Sequence, residues 1–357
     1  MTLANRAAWL QAEKANPLVV GDGPTPNPSE DELVIKVAYA AVNPADWISQ
    51  DIALPPHIKY PTILGLDVAG TVAQLGSNVT RFKIGQRVLG HLDGLATAKP
   101  SNNGFQLYST TREIFVSEVP DFLPLENAAV LPVSISTAAT ALFVHLKLPL
   151  PSLDPTPTGQ RILIWGGSSS VGCSLIQLAI AAGLEVVTTA STANHDLMKS
   201  LGASHVFDHH DSDVSEKLLG VLRDGDLVVD AISTKVTQTT CGEILGRLGG
   251  GTLPVMQPQA GTFPENVKAV FGKVHSNMKF DVSATDYVTV ICIDLGFTAL
   301  DVGNAVWRQY IPEALAAGKY QAKPDPIVIE GGLEKVQEGI DILRKGVSAK
   351  KIVINLS

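Results

Sequence analysis

The segment Gly166-Gly167-Ser168-Ser169-Ser170-Val171-Gly172 follows the apolar run RILIW directly and leads into CSLIQLAIAA. That is the order strand, tight loop, helix. A helix N-terminus offers unpaired N–H groups and partial positive charge, and glycines let the backbone approach a pyrophosphate closely. The chemistry available to these residues is therefore the binding of a dinucleotide. Counted as GxGxxG ending at Gly172, the first glycine is Gly167 and the middle position is Ser169. The Cβ of Ser169 pushes loop or phosphate back, and its hydroxyl can compensate by donating to phosphate. A plain glycine turn in a cofactor-free domain is the competing reading, and the strand-to-helix context disfavours it.

The choice between dinucleotides is made about 20 residues beyond the first glycine, where NAD enzymes place an acid on the ribose. Here that stretch reads Thr189-Ala190-Ser191-Thr192-Ala193-Asn194, without a carboxylate. Ser191 and Asn194 offer neutral hydrogen bonds, and His209 can add a partly protonated ring. NADPH is the expected cofactor. An exposed loop pair is the alternative reading of His209 and His210.

The elements around this loop alternate strand and helix from residue 161 onward: RILIW, CSLIQLAIAA, EVVTTA, a helix near 196–201, HVF, SEKLLGVL, DLVVD, a helix near 238–245, and TLPVM. Gly183 closes the first helix as a C-cap. Such alternation predicts a doubly wound parallel sheet covered on both faces. Residues 32–42, 68–75 and 87–89 read as short strands, separated by Pro-, Gly- and Asn-rich connections at 51–61 and 94–104. An Ala- and Leu-rich helix follows at 126–146, then a proline-rich loop at 149–160. Beyond 298 the pattern is a helix at 306–316, an extended PIVIE, a helix at 333–344 and a closing strand KIVINL. The expected organisation is a β-rich domain of residues 1–127 and 300–357 around an α/β domain of residues 128–299.

The 357 residues are 45% hydrophobic, enough for two cores. No run of about 18 uninterrupted apolar residues occurs, and the first residues lack the pattern of a secretory signal. Cys173, Cys241 and Cys292 are far apart and form no zinc-ligand spacing. These features predict a soluble, cytoplasmic protein without a membrane partner. A net charge of −8 with no long basic run argues against nucleic acid.

The segments AAVNPADW, YPTILGLDVAGTVAQLGSNVTRFKIGQRVLG, AAVLPVSISTAATAL, GGSSSVG, LGASHVFDH and GIDILRKGVSAKKIVINL together resemble the medium-chain dehydrogenase/reductase superfamily over essentially the whole chain. Within it the chain is most similar to the zinc-free branch, and to the fungal oxidoreductases that include polyketide trans-acting enoyl reductases. The resemblance implies an α/β Rossmann domain beside a β-rich, chaperonin-like (GroES-like) catalytic domain. Zinc enzymes of the superfamily read GHE where this chain reads Gly65-Leu66-Asp67, and residues 85–115 contain no cysteine for a structural zinc lobe. No metal is expected. The fungal relatives often carry a lysine where Ile48 follows Asp46-Trp47.

Without a metal and without a Tyr-x-x-x-Lys pair, reducing an unactivated ketone lacks an electrophile. A conjugated C=C needs only hydride at the β-carbon and donors for the resulting enolate. The resemblance puts Asn43 and Thr137 beside the nicotinamide as the catalytic pair, with Pro44, Asp46, Met256, Lys350 and Lys351 near the cofactor. Thr137 would orient the carboxamide or donate to the enolate, or else only bond its own helical turn. Asn43 would hold the loop or a ribose hydroxyl, or only form the turn before Pro44. Asp46 can instead cap a helix, and the two lysines can be a solvated pair. Trp47 and residues 132–136, 256–258 and 295–298 would line an apolar mouth suited to an acyl substrate.

The expected activity is NADPH-dependent reduction of an enoyl thioester or α,β-unsaturated ketone in secondary metabolism. A quinone or aldehyde reductase and a non-catalytic NADPH-binding sensor are the alternatives. A polyketide synthase carrier is a possible partner, and the chain can be a monomer or a homodimer. No side chain stands out as proton donor.

Overall fold

Every residue of Ile162, Leu163 and Ile164 in RILIW is fully buried, on both faces of its strand. A continuous apolar run rather than an alternating one is what a sheet covered on both sides requires. In the computed structural model, which describes residues 3–52, 58–271 and 299–357, this strand is the centre of a parallel sheet.

The chain begins with strands β1 (Arg6–Leu10), β2 (Val19–Asp22), β3 (Glu32–Ala41), β4 (Thr62–Ile63), β5 (Asp67–Leu75), β6 (Arg87–His91), β7 (Tyr108–Arg112) and β8 (Val116–Glu118). The second group is β9 (Arg161–Trp165), β10 (Glu185–Thr189), β11 (His205–Phe207), β12 (Leu227–Asp230), β13 (Gly251–Pro254) and β14 (Val267–Val270). The chain then returns with β15 (Asp325–Ile329) and β16 (Lys350–Asn355).

Strands β11-β10-β9-β12 pair in that order, all parallel. A parallel bridge from Asp230 to Val255 continues them to the pair β13-β14. In chain order this is 3-2-1-4-5-6, the doubly wound arrangement whose ligand crevice opens between the first and fourth strands at their carboxyl ends. β14 was not visible in the amino-acid pattern.

From the first group, β3, β5, β6, β7 and β8 join a mainly antiparallel sheet, β15-β16-β3-β5-β6-β8, with β7 paired to β3, while β2-β1-β4 form a separate three-stranded sheet. β16 runs antiparallel to β3, with Val353 opposite Ala41. The C-terminal segment therefore completes the N-terminal sheet. The helical residues 300–316 behave differently from a simple return to the first domain. Val306, Trp307, Ile311 and Leu315 share one core with Leu175, Ile176 and Leu178 of the helix after β9, and with Phe115 beside β8. A cut at residue 300 divides residues that pack together.

The helical run Leu125–His145 is apolar and long enough to cross a bilayer, but 83% of its 18-residue apolar window is buried inside the protein. It is a core helix here. Cys173 and Cys241 are free and buried, and burial pushes the Cys173 thiol up to about 12, so neither is poised as a nucleophile. Cys292 and the expected mouth residues 295–298 lie outside the described residues.

Candidate active site

Where the crevice opens, an apolar cavity of about 290 Å³ is walled on one side by Ser169, Ser170 and Val171, and elsewhere by Ile48, Leu66, Leu92, Leu95 and Met256. The turn from β9 into this wall needs Gly166. Its φ is +84°, and an added Cβ would lie 2.3 Å from the Ile232 side chain. Gly172 lets the helix close onto the loop, since a Cβ there would meet the Gly166 carbonyl at 2.3 Å.

Ser169 is the N-cap of the helix Ser170–Ala181: its Oγ accepts from the Gly172 N–H at 3.0 Å and donates to the Gly166 carbonyl at 2.9 Å. The expectation that this hydroxyl donates to phosphate is corrected, because its proton is already used within the loop. Ser170 and Val171 line the cavity, and their backbone N–H groups have no partner among the described residues. Two free first-turn amides fit a pyrophosphate. Gly167 packs against β10 instead, where a Cβ would meet Thr188 Oγ1 at 2.2 Å. Ser168 and Gly172 also lie off the wall.

Asn43, Pro44, Thr137 and Lys351 reach the same cavity from the first sheet and from the helix Pro132–Ala139. Asn43 Nδ2 donates to Asp67 Oδ2 at 2.9 Å, and its Oδ1 accepts from Lys351 Nζ at 2.6 Å. Asp67 is fully buried; its other oxygen accepts the Val133 N–H at 2.6 Å. The carboxylate thus ties β5, β16, the loop after β3 and the helix bearing Thr137 into one polar node.

Of the lysine pair, only Lys351 is buried in this node. Lys350 points outward to Asp325, 3.4 Å away, so it does not face the cavity. Strand alternation makes the two neighbours face opposite ways.

Asp46 is corrected too. It is fully buried off the cavity wall, its oxygens accepting the Asn43 and Gly65 N–H groups at 2.8 and 2.9 Å. It holds the first turn of the helix Pro44–Ile52 rather than facing a ligand. Burial raises its carboxyl to about 7 against the pull of those two N–H donors.

Thr137 donates to the Val133 carbonyl at 2.7 Å. The bond along its own helix and the place on the cavity wall hold at once. With the proton so engaged, donation from this hydroxyl to an enolate is disfavoured.

At the far end of β10, Asn194 Nδ2 donates to Ser191 Oγ at 3.0 Å. The reading of this region as free of carboxylates is corrected in space: Asp208, just past β11, accepts from the Thr192 N–H at 3.1 Å. Hydrogen bonds from Thr192 and His210 hold the Asp208 carboxyl far below its ordinary range. His209 is half-exposed and stacks on His210 with ring centroids 3.9 Å apart. Asp208, His209 and His210 bring three ligand-type atoms within 4.8 Å of one another, at an exposed place.

Leu66 occupies the wall where zinc enzymes put a histidine and offers no ligand atom. Ile48 likewise makes the wall apolar. Trp47 packs into the core of the first sheet instead of lining the cavity. Of the expected mouth residues, Val133, Ser134, Met256, Gln257 and Pro258 do line it. The sequence reading gave no site role to Asp67, His91 or Trp307, although Asp67 lies within a quoted motif and His91 just after it.

Residues 29–119 match the alcohol dehydrogenase GroES-like domain family, and residues 170–277 the zinc-binding dehydrogenase family. The trans-enoyl reductase himH of Aspergillus japonicus is 61% identical over 358 residues, covering 100% of this chain and 98% of that protein. The dehydrogenase orsE of Emericella nidulans is 36% identical, covering 99% of each. Among solved structures, the CurK enoyl reductase matches with TM-score 0.72 at 18% identity, covering 99% of both chains. The quinone oxidoreductase of Coxiella burnetii matches with TM-score 0.68 at 21% identity, covering 99% of this chain and 100% of that one. Its fold, its phosphate loop and these relatives agree: the chain belongs to the medium-chain dehydrogenase/reductase superfamily, whose members bind a nicotinamide cofactor.

Proposed function

We propose that this protein reduces the conjugated C=C of an enoyl thioester or an α,β-unsaturated ketone with NADPH. The observation that carries the reading is a single apolar cavity bounded by the open phosphate-loop amides on one side and by Ile48, Leu66, Leu92 and Leu95 on the other. An uncharged acyl chain suits such a wall, and no ligand atom on Leu66 offers the Lewis-acid route to a ketone. The 61% identical trans-enoyl reductase supports the same reaction class.

NADPH, when bound, supplies the hydride. The Ser170 and Val171 amides would hold the pyrophosphate, and Thr137, on the cavity wall, would stand beside the carboxamide. The node of Asn43, Asp67 and Lys351 fixes the loop after β3 on the cavity wall, where it would support a nicotinamide, and the aliphatic wall would keep water from the reacting carbon. Ser191, Asn194 and His209 serve the 2′-phosphate. Asp208 lies close by, but its oxygens are engaged by Thr192 and His210. The partner we propose, from the resemblance to trans-acting reductases, is an acyl carrier of a synthase. Docking would need a local basic patch, because a net charge of −8 gives no general attraction to an acidic carrier.

Fluorescence titration with NADPH and NADH, followed by an enone, enoyl-thioester and quinone panel, tests the reading. Tighter NADPH binding with enone-dependent oxidation is expected. Binding of neither cofactor, or oxidation by quinones alone, overturns it.

A further inference from the structure

His91 closes β6, is buried, and contributes its ring to the cavity wall. Its Nδ1 lies 3.0 Å from Ser136 Oγ. That same oxygen accepts the indole N–H of Trp307 at 3.1 Å. Ser136 and Trp307 are both fully buried, and the Trp307 carbonyl is held in turn by Ser117 Oγ at 2.6 Å.

These contacts decide the tautomer. An indole N–H only donates, so it occupies one lone pair of Ser136. The serine proton then has one acceptor in its described contacts, His91 Nδ1. The reverse arrangement, with Nδ1–H donating, would leave the serine proton unpaired in a fully buried place. The imidazole proton therefore sits on Nε2. That atom has no hydrogen-bond partner among the described residues, yet it is not among the sealed, unpartnered buried atoms. It faces the cavity and lacks an acceptor.

We propose that His91 is a neutral hydrogen-bond donor to the substrate carbonyl, its Nε2–H holding the oxygen that becomes the enolate. Hydride from NADPH forms the new C–H bond at the β-carbon, and the π electrons move onto that oxygen. The N–H bond of His91 stays intact throughout. Water then protonates the α-carbon, and the C=O is restored. The charged groups that act on the ring are Asp67 on β5 and Lys351 on β16. Burial, the dominant effect, drives the imidazole down to about 4, so it remains uncharged at neutral pH. A neutral imidazole fixed in one tautomer is an effective electrophile of this kind.

This role rests on the C=C reduction proposed above; the tautomer does not. His91→Asn keeps a polar group near Ser136 but removes the donor at the Nε2 position, whereas His91→Gln places an amide N–H close to it. The expected result is a fall in kcat on the order of 10²-fold for the Asn variant. NADPH affinity should be unchanged, and the Gln variant should keep most of the turnover. Parent-like kcat in His91→Asn overturns the proposal. Nitrogen-15 NMR of the parent, labelled at histidine, should show the His91 proton on Nε2. A proton on Nδ1 overturns the assignment whether or not the variants fold. If the parent reduces no enone or enoyl thioester, the substrate reading fails, while the spectrum still decides where the proton lies.

Discussion

Lys351 Nζ lies 3.0 Å from Asp67 Oδ2, with both side chains at most 5% exposed. A pair so deeply placed owes its persistence to hydrogen bonds that satisfy the remaining lone pairs, here from Asn43 and Val133. Removing one member leaves the other charged and alone. Lys351→Met should lower unfolding stability by about 3–5 kcal/mol, measured by urea titration. The double variant with Asp67→Asn should recover part of that loss; a purely additive result would show that the two groups do not interact.

Thr137→Val removes the hydroxyl from the cavity wall while keeping the shape. We expect weaker cofactor binding, roughly tenfold by the value of one lost hydrogen bond. Thr137→Ser should retain parent affinity in the same titration. Equal binding by the Val variant would leave Thr137 with only its helical role.

The phosphate loop is tested at two positions with different outcomes. Gly166→Ala forces a side chain into a left-handed backbone and against Ile232, so cofactor binding should be lost. Ser169→Ala removes an N-cap and should cost about 1 kcal/mol of stability, while the amides of Ser170 and Val171 still bind, more weakly. Calorimetry on both variants separates these effects.

Two buried groups give opposite pH dependences. The Asp46 carboxyl titrates near 7 in the folded chain against 3.8 ordinarily. Between those values the folded chain keeps a proton that the unfolded chain has released, so this group lowers stability as pH rises. His91 is the reverse, about 4 against 6.5, and its contribution is lost as pH falls through that interval. Against the parent, Asp46→Asn should flatten the decline toward about pH 7, and His91→Gln the loss toward about pH 4, in denaturant midpoints.

The parallel sheet was legible because RILIW and DLVVD are short apolar runs with helices between them. The phosphate loop was legible because its glycines sit at a strand end. The polar node around Asp67 was not. Adjacent Lys350 and Lys351 look alike in sequence, and only the register of β16 against β3 turns one inward. His91, Ser136 and Trp307 meet across separations of 45 and 171 residues, which no local pattern encodes. Asp208 escaped notice for the same reason, since the acid comes from the neighbouring strand rather than from the end of β10.

The bond between Asn43 and Lys351 spans 308 residues of chain. At a synthesis rate of about 5–20 residues per second, roughly 15–60 s separate the emergence of its two halves from the ribosome. Throughout that interval Asp67 has no cation to neutralise it, and β3 has no β16 along its edge. The nascent N-terminal sheet therefore waits with an open flank and an unbalanced charge. Holding that half in solution until the last strand arrives is a task for chaperones, and the yield of active protein should depend on them more than its final stability suggests.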